Sequence, residues 1–122
     1  MFLLFSHKLT SRQEEEARSL GVKEFISLPK ELQDRFSNIP ADLESLDEYV
    51  RPFMEYLLKE SKVGDMVLIQ GDVGLVYKLV GFAYGIGLKP VYATTQRRVV
   101  ERMVDGKSIK ISEFEHVRFR KY

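Results

Sequence analysis

A short apolar run, a turn and a longer apolar stretch lie at the centre of this chain. Met66–Ile69 is too short for a helix and is bounded by polar residues, which predicts a buried strand. Gln70–Gly74 is a turn, and from Leu75 to about Ile86 apolar residues fall on nearly every side, as in a helix packed on a sheet. Val91–Thr95 predicts the next strand. This order is a βαβ unit, whose right-handed crossover makes its two strands parallel.

A second strand and a capped helix are predicted at the start of the chain. Phe2–Phe5 is a short apolar run, typical of a central parallel strand buried on both faces. Thr10 or Ser11 can cap the helix that follows, and Glu14 stands at capping-box spacing from Ser11. We expect the helix to end at Gly21.

The stretch between this helix and the central unit predicts a third strand and further helices. Lys23–Leu28 is β-prone, and we expect it nearer an edge of the sheet. Leu32 and Phe36 are four residues apart, which predicts a short helix. Apolar residues follow a helical period over Leu43–Leu57, with Pro52 inside the pattern, so we expect a kink or two adjoining helices there.

The last quarter of the chain has a different pattern. Arg98–Val104 and Ser108–Ile111 are β-prone runs separated by Asp105-Gly106, a strong hairpin signal. Phe114–Tyr122 then alternates, which predicts a strand with a basic side. That side is predicted to carry Phe114, His116, Arg118 and Arg120.

Together these elements predict one α/β domain over residues 1–122. We expect a Rossmann-like, mostly parallel sheet with helices on both faces and a C-terminal antiparallel hairpin or strand extension. The chain has 44% hydrophobic residues, enough to build a core. In open parallel sheets ligands bind at the carboxyl ends of the strands, so the loops that follow the strands carry the candidate chemistry.

Composition narrows the class of ligand and the compartment. The net charge is only +1, but residues 1–61 carry −4 and residues 62–122 carry +5, which favours an anionic ligand on the second half. There is no cysteine, so disulfides, thiolate metal sites and a cysteine nucleophile are excluded. The start lacks a basic n-region and no apolar run is long enough to span a membrane, so we expect a cytoplasmic protein with no membrane partner. No residues stand at metal-ligand spacing, and we predict no metal and no cofactor.

The first candidate loop follows the strand at the start of the chain. His7 can transfer a proton near neutral pH, Lys8 can bind a phosphate, and Ser6 can donate a hydrogen bond to one. The alternative is a loop that satisfies its own backbone while His7 packs.

The second candidate loop joins the central strand to its helix. Gly71 and Gly74 let a ligand approach the backbone, and the helix N-terminus favours anions. The loop is neither a GxGxxG motif nor a phosphate-binding loop of nucleotide triphosphatases. Gln70 and Asp72 complete it, and the alternative for Asp72 is that it only caps the helix.

Two further groups are hydroxyl-rich or basic. Thr94 and Thr95 end a predicted strand and are followed by Arg97 and Arg98, whose guanidinium groups can bind phosphate through two hydrogen bonds each. The alternative is that this segment is an exposed turn that only contacts solvent. Arg118 belongs to the C-terminal segment, where basic and aromatic residues alternate. This pattern is typical of proteins that bind single-stranded nucleic acid, and also of an edge strand whose charges prevent aggregation.

Several motifs in this order resemble a family of CRISPR-associated proteins. They are FSHKLT near the start, LPKELQ and SNIPADLESL, VLIQGDVG, PVYATT and the closing HVRFRKY. The combination resembles the small stand-alone ring nucleases of type III CRISPR systems, in the Csx group. The fullest matches are Phe5–Thr10, Val67–Gly74, Val91–Thr95 and His116–Tyr122.

The resemblance implies a CARF-like domain that acts as a homodimer in antiviral defence. Such proteins bind cyclic oligoadenylate, usually cyclic tetra-adenylate, across the dimer axis and linearise it, which switches off the signal. A ribose 2′-hydroxyl attacks its own phosphodiester without a metal and leaves a 2′,3′-cyclic phosphate. We expect Ser6, His7 and Asp72 to be catalytic, and a second set to bind substrate: Lys8, Gln70, Gly71, Gly74, Thr94, Thr95, Arg97, Arg98 and Arg118.

Two other functions remain open from the sequence. The protein could bind cyclic oligoadenylate without cutting it, as a sponge or a sensor. It could also be a general RNA-binding protein that uses the C-terminal basic strand; we expect no DNA partner.

Overall fold

A computed structural model describes all residues, 1–122, and shows a mixed α/β fold with one five-stranded sheet. The strands are β1 (Phe2–Leu4), β2 (Ile26–Ser27), β3 (Met66–Ile69), β4 (Lys89–Val104) and β5 (Lys107–Lys121). Their order in the sheet is β2-β1-β3-β4-β5, with the first four strands parallel and β5 antiparallel to β4. The expected Rossmann-like, mostly parallel sheet with a C-terminal antiparallel pair is confirmed. The helices are α1 (Ser11–Ser19), α2 (Lys30–Ser37), α3 (Arg51–Glu60) and α4 (Val73–Gly85). None of these helices is both long enough and apolar enough to cross a membrane.

Each face of the sheet packs against its own helices, because the side chains of a strand alternate between faces. On one face Val67 and Ile69 of β3 join the larger core with buried residues of α2, α3 and α4. On the other face Leu68 joins a smaller core with Ala17 of α1 and Phe119 of β5. Helices therefore cover both faces, as predicted.

Thr10, one of the two predicted caps, does cap α1, but two details of the helix starts differ from the prediction. The capping box of α1 is made by Thr10 and Gln13, not by Ser11 and Glu14: Gln13 N donates to Thr10 Oγ1 over 3.2 Å, and Thr10 N donates to Gln13 Oε1 over 2.9 Å. Residues 43–46 have no regular structure and 47–50 form a turn, so α3 begins only at Arg51. Pro52 thus lies in the first turn, where its missing N–H costs no helical hydrogen bond, and there is no kink.

The C-terminal strands are longer than predicted and form one continuous hairpin. Asp105-Gly106 makes the turn, with φ of 50° and 74°, the left-handed conformations that a two-residue turn of this type needs. β3 ends at Ile69, whereas β4 continues to Val104. The part of the hairpin beyond the sheet, residues 95–116, is called the ribbon below. It extends about 30 Å at ~3.3 Å per residue.

The predicted alternation of the last strand is wrong because β5 contains a bulge. Thr94 pairs with Arg118 but Thr95 pairs with His116, so Val117 has no partner on β4. The extra residue rotates the strand, and His116 therefore does not share a side with Arg118. His116 and Phe119 are instead both buried, with ring centroids 4.8 Å apart, while Arg118 is exposed.

Candidate functional site

The two predicted loops leave neighbouring strands at the same edge of the sheet. β1 and β3 are hydrogen-bonded in parallel, with Leu4 opposite Ile69, and the strand order reverses between them. In sheets of this order ligands bind at that switch point. The loops after β1 and β3 therefore leave the sheet from neighbouring strands.

A cavity of the protein opens beside the first loop. It has a volume of about 700 Å³ and lies between the loop after β1, the start of α1, β2 and α2. Ser6, His7 and Lys8 line it and are exposed. Aromatic and charged side chains also line it, among them Phe25, Glu14, Lys30 and Asp34. Its wall is thus partly apolar, and its charges are mixed rather than uniformly basic.

Helix α2 holds the first loop in place. Gln33 Nε2 donates to the carbonyl oxygen of Phe5 over 3.2 Å and to Ser37 Oγ over 3.1 Å. Ser37 Oγ lies 3.0 Å from Ser6 Oγ, so the Ser6 hydroxyl is fixed by a neighbour. The ring of His7 packs edge-on against Phe5, with centroids 5.3 Å apart, and remains exposed. Gln33 and Ser37 were missed by the sequence analysis because their role depends on a contact across 28 to 31 residues.

The second loop plays a largely structural part. Asp72 Oδ2 accepts a hydrogen bond from Leu75 N over 3.0 Å, which is the capping role given above as the alternative. Gln70 Oε1 accepts from Ala93 N over 2.8 Å and so ties β3 to β4. Both side chains are engaged within the chain, which argues against a direct catalytic role for Asp72.

The end of α2 stands between the two loops. A Cβ atom on Gly71 would lie 2.9 Å from Cζ of Phe36, so only glycine fits there without a shift. Phe36 therefore meets the second loop, while the next residue, Ser37, meets Ser6 of the first. Neither Gly71 nor Gly74 lines the cavity, so the structure does not bring the two predicted groups into one pocket.

The third predicted group lies at the base of the ribbon rather than in the cavity. Thr94 Oγ1 donates to the carbonyl oxygen of Arg118 over 3.0 Å, and Thr95 is exposed opposite His116. Arg97 donates from Nη2 to Ser112 Oγ over 2.8 Å. These side chains point along an exposed arm, so they can meet a ligand only if it reaches beyond the cavity.

The start of α1 connects the cavity with the ribbon. Arg12, in the first turn of α1, has its guanidinium 3.8 Å from the Glu115 carboxylate on the ribbon. Arg98 approaches the other oxygen of Glu115 at 3.4 Å. Two largely exposed guanidinium groups thus meet at Glu115, and the exposed Lys8 stands four residues before Arg12 in the chain. Arg12 could not be found from the sequence because its ribbon contact is more than 100 residues away.

A buried pair fixes the base of the ribbon to α1. His116, only 6% exposed, contacts Glu16 Oε1 through Nε2, and Phe119 N donates to both Glu16 oxygens over 2.9 and 3.0 Å. An ionised carboxylate only accepts, so Nε2 carries the hydrogen. His116 Nδ1 is buried without a partner. The main role of Glu16 is therefore to hold β5.

Two further observations bear on cofactors and buried groups. No group of three His, Asp or Glu side chains in the structure could hold a metal ion. Burial raises the pKa of the Tyr122 hydroxyl above its ordinary value, with a smaller contribution from Tyr92. That hydroxyl donates to the carbonyl oxygen of Ile69, at the end of β3 beside the second loop.

The chain is similar throughout its length to proteins known from sequence. Residues 1–120 match the family model described as "Uncharacterized protein MJ1673 family". A relative from Methanocaldococcus jannaschii, "Uncharacterized protein MJ1673", is 54% identical over 123 residues, which cover 100% of this chain and 95% of the relative. No solved structure matches the chain.

Proposed function

We propose that the chain, which belongs to the MJ1673 family, is a ring nuclease that binds cyclic oligoadenylate and opens it without a metal. The observation that carries this proposal is the exposed loop Ser6–Lys8, which follows a central parallel strand and opens on a cavity of about 700 Å³ beside the switch point of the sheet. A two-fold homodimer in the cytoplasm, with cyclic tetra-adenylate as substrate, is part of the proposal.

The chemistry requires little from the protein beyond positioning and proton transfer. The 2′-oxygen of a ribose attacks the adjacent phosphorus, and the bond from phosphorus to the 5′-oxygen breaks. The products are a 2′,3′-cyclic phosphate and a 5′-hydroxyl, and no water is consumed. Holding the three reacting atoms in line and stabilising charge on the phosphorane therefore supply the catalysis.

The residues of the first loop fit these roles. The His7 imidazole is exposed at the cavity and is free to take the proton from the 2′-hydroxyl or give one to the leaving oxygen. The Lys8 ammonium supplies a positive charge for the phosphorane oxygens. Ser6, held by Ser37, supplies a fixed hydroxyl beside them.

The size of the cavity supports a site built from two copies. Cavities of this volume hold one ligand of drug size, and a ring of four nucleotides is several times larger. A two-fold ligand matches a two-fold dimer in which each loop is used twice.

Variants of the first loop test the proposal. We expect His7→Ala to lower single-turnover cleavage of cyclic tetra-adenylate about 10²–10⁴-fold with little change in binding, because it removes a proton-transfer group. Lys8→Ala should lower both binding and cleavage. Lys62→Ala is the matched control, since Lys62 is an exposed lysine after α3, away from the cavity. Cleavage by His7→Ala equal to the parent at several pH values would remove His7 from the chemistry.

A second candidate function, general RNA binding, is favoured by the ribbon. It exposes Arg97, Arg98 and Phe114, the basic and aromatic residues that single-stranded RNA requires. This function predicts tight, salt-sensitive binding of linear RNA. Preference for the cyclic ligand over linear tetra-adenylate would count against it. Tight binding of the ring without cleavage would instead identify a sponge or sensor.

A further inference from the structure

Helix α4 is apolar on all sides but is covered on only one. Its single charged residue is Lys78, which forms a salt bridge with Asp47 in the turn that precedes α3. Leu75, Leu79 and Ala83 are buried against the sheet. A helix that is hydrophobic all round is normally buried all round, so the outer face of α4 lacks a partner in a single protomer.

The uncovered face is a stripe of large side chains, called the α4 stripe below. Val73 is 85% exposed, Tyr77 is 81% exposed and Tyr84 is 50% exposed. They recur at the spacing of one helix face, opposite the buried one. An apolar groove of about 670 Å³ lies beside the stripe and includes Met54 of α3. The apolar surface therefore extends from α4 towards α3.

We propose that the α4 stripe is the contact between two copies of this chain, packed about a two-fold axis that runs roughly along the helices. Gly81 has open space where a Cβ would stand, and Tyr77 projects one turn before it. In a symmetric parallel pair, Tyr77 of each protomer fills the space above Gly81 of the other. One stripe thus supplies both the projection and the recess, as an interface between identical surfaces requires.

The chemistry of the surface selects a second copy rather than another partner. The stripe carries no free cation, which nucleic acid or an anionic membrane would need, because Lys78 is already paired with Asp47. None of the three stripe side chains is a carboxylate; Asp47 beside them is paired with Lys78, and Tyr84 donates its hydroxyl to the backbone oxygen of Tyr122. An uncharged, self-complementary surface is typical of a homodimer core.

The area needed for a stable dimer involves the ribbon as well. Stable interfaces bury about 800 Å² on each partner, more than the stripe of a helix about 20 Å long supplies. Because α4 runs antiparallel to β4, Val73 lies at the edge from which the ribbon leaves. The ribbon exposes Met103 (72%), Phe114 (70%) and Val99 (58%), and a two-stranded hairpin is marginally stable alone. With the axis along α4, the two ribbons lie side by side and extend the interface.

The parallel arrangement also orients the candidate sites. It places both Gln70–Asp72 loops next to the axis and makes both cavities open in the same direction. An antiparallel pairing would separate these ends by the length of the helix. The orientation of the two sites matters only if the proposed function holds, and this part rests on it. The contact between the two copies rests only on the exposed stripe.

Oligomeric state tests the contact directly. We expect light scattering and sedimentation of the full chain to give twice its mass of 14.2 kDa. Tyr77→Lys should raise the dissociation constant of the dimer by roughly 30-fold or more, as loss of a central anchor does. Leu20→Lys is the control, since Leu20 is 49% exposed at the end of α1, which packs on the opposite face of the sheet from α4. Tyr77 is exposed in the protomer, so unchanged circular dichroism should show that the variant is folded.

Cross-linking tests the direction of packing, because the chain has no cysteine of its own. Val73→Cys should form an intermolecular disulfide on mild oxidation, whereas the control Leu20→Cys, on the opposite face of the sheet, should not. A monomeric parent, a Tyr77→Lys variant that dimerises like the parent, or no disulfide from Val73→Cys would overturn the inference. A dimer that fails to cleave the ring would refute only the proposed function, and a monomer that cleaves it would refute only this contact.

Discussion

Replacing Glu16 with alanine is expected to detach the base of the ribbon from α1. The Glu16 carboxylate accepts from Phe119 N with both oxygens and from His116 Nε2. His116 and Phe119 are 6% and 4% exposed, so water cannot fully replace the lost acceptor. The substitution therefore leaves two buried donors without a partner.

The expected cost follows from those two donors. Each unsatisfied buried group costs about 1–3 kcal/mol, and we expect the lower part of that range because the Glu16 side chain is 22% exposed. The free energy of unfolding should thus fall by roughly 2–4 kcal/mol, a large part of the ~5–15 kcal/mol that holds a typical domain. Glu16→Gln keeps one acceptor oxygen for Phe119 N and should lose only about 1 kcal/mol.

Urea denaturation followed by circular dichroism measures this difference. Glu15→Ala is the matched control, because Glu15 is exposed on the same helix and the change in helix propensity is the same. Hydrogen exchange should also show faster exchange at Phe119 N in Glu16→Ala. If Glu16→Ala and Glu15→Ala differ by less than about 0.5 kcal/mol, the pair is not what holds the ribbon base.

Three further predictions concern the loop, alkaline stability and the ribbon. Gly71→Ala should cost about 1–3 kcal/mol by overpacking against Phe36, and additive costs in the double variant with Phe36→Leu would disprove that clash. Burial raises the pKa of Tyr56 above its ordinary value of 10.0, because the folded protein favours the neutral phenol. The neutral phenol therefore stabilises the fold below pH 10, and this contribution is lost as the pH rises through the raised pKa. Tyr56→Phe should therefore flatten the fall of Tm above pH 10, and an unchanged slope would contradict this. Replacing Arg97 and Arg98 with alanine should weaken binding of cyclic tetra-adenylate by roughly 1–3 kcal/mol per lost contact, as measured by calorimetry, whereas unchanged affinity would assign both to the solvated surface.

The central parallel unit could be predicted because its signals are local. Met66–Ile69 is a strand in the sequence pattern and in the structure, and Asp72 precedes the helix as expected. Asp105-Gly106 likewise specifies its own turn. Each of these features depends on residues within a few positions of one another, which a pattern of apolar and polar residues records.

Features that depend on distant partners could not be predicted. Because of the bulge at Val117, the residues before it and after it alternate out of phase on the last strand. An alternating sequence pattern gives no sign of one extra residue. The pairing of Glu16 with His116 spans 100 positions. In the candidate site, the exposed group Ser6–Lys8 was found from its place after a strand, but the separation of the two loops by Phe36 depends on how α2 packs.

Incubation of cyclic tetra-adenylate with the protein in EDTA shows whether the ring is opened without a metal. The parent protein is incubated in excess over the ring, without free metal. The products are then separated by chromatography, and their masses are measured by mass spectrometry. We expect linear products that end in a 2′,3′-cyclic phosphate and a 5′-hydroxyl, with the same total mass as the ring. The Lys62→Ala variant should cleave the ring at the same rate as the parent. Recovery of the intact ring after many equivalents of protein would contradict it.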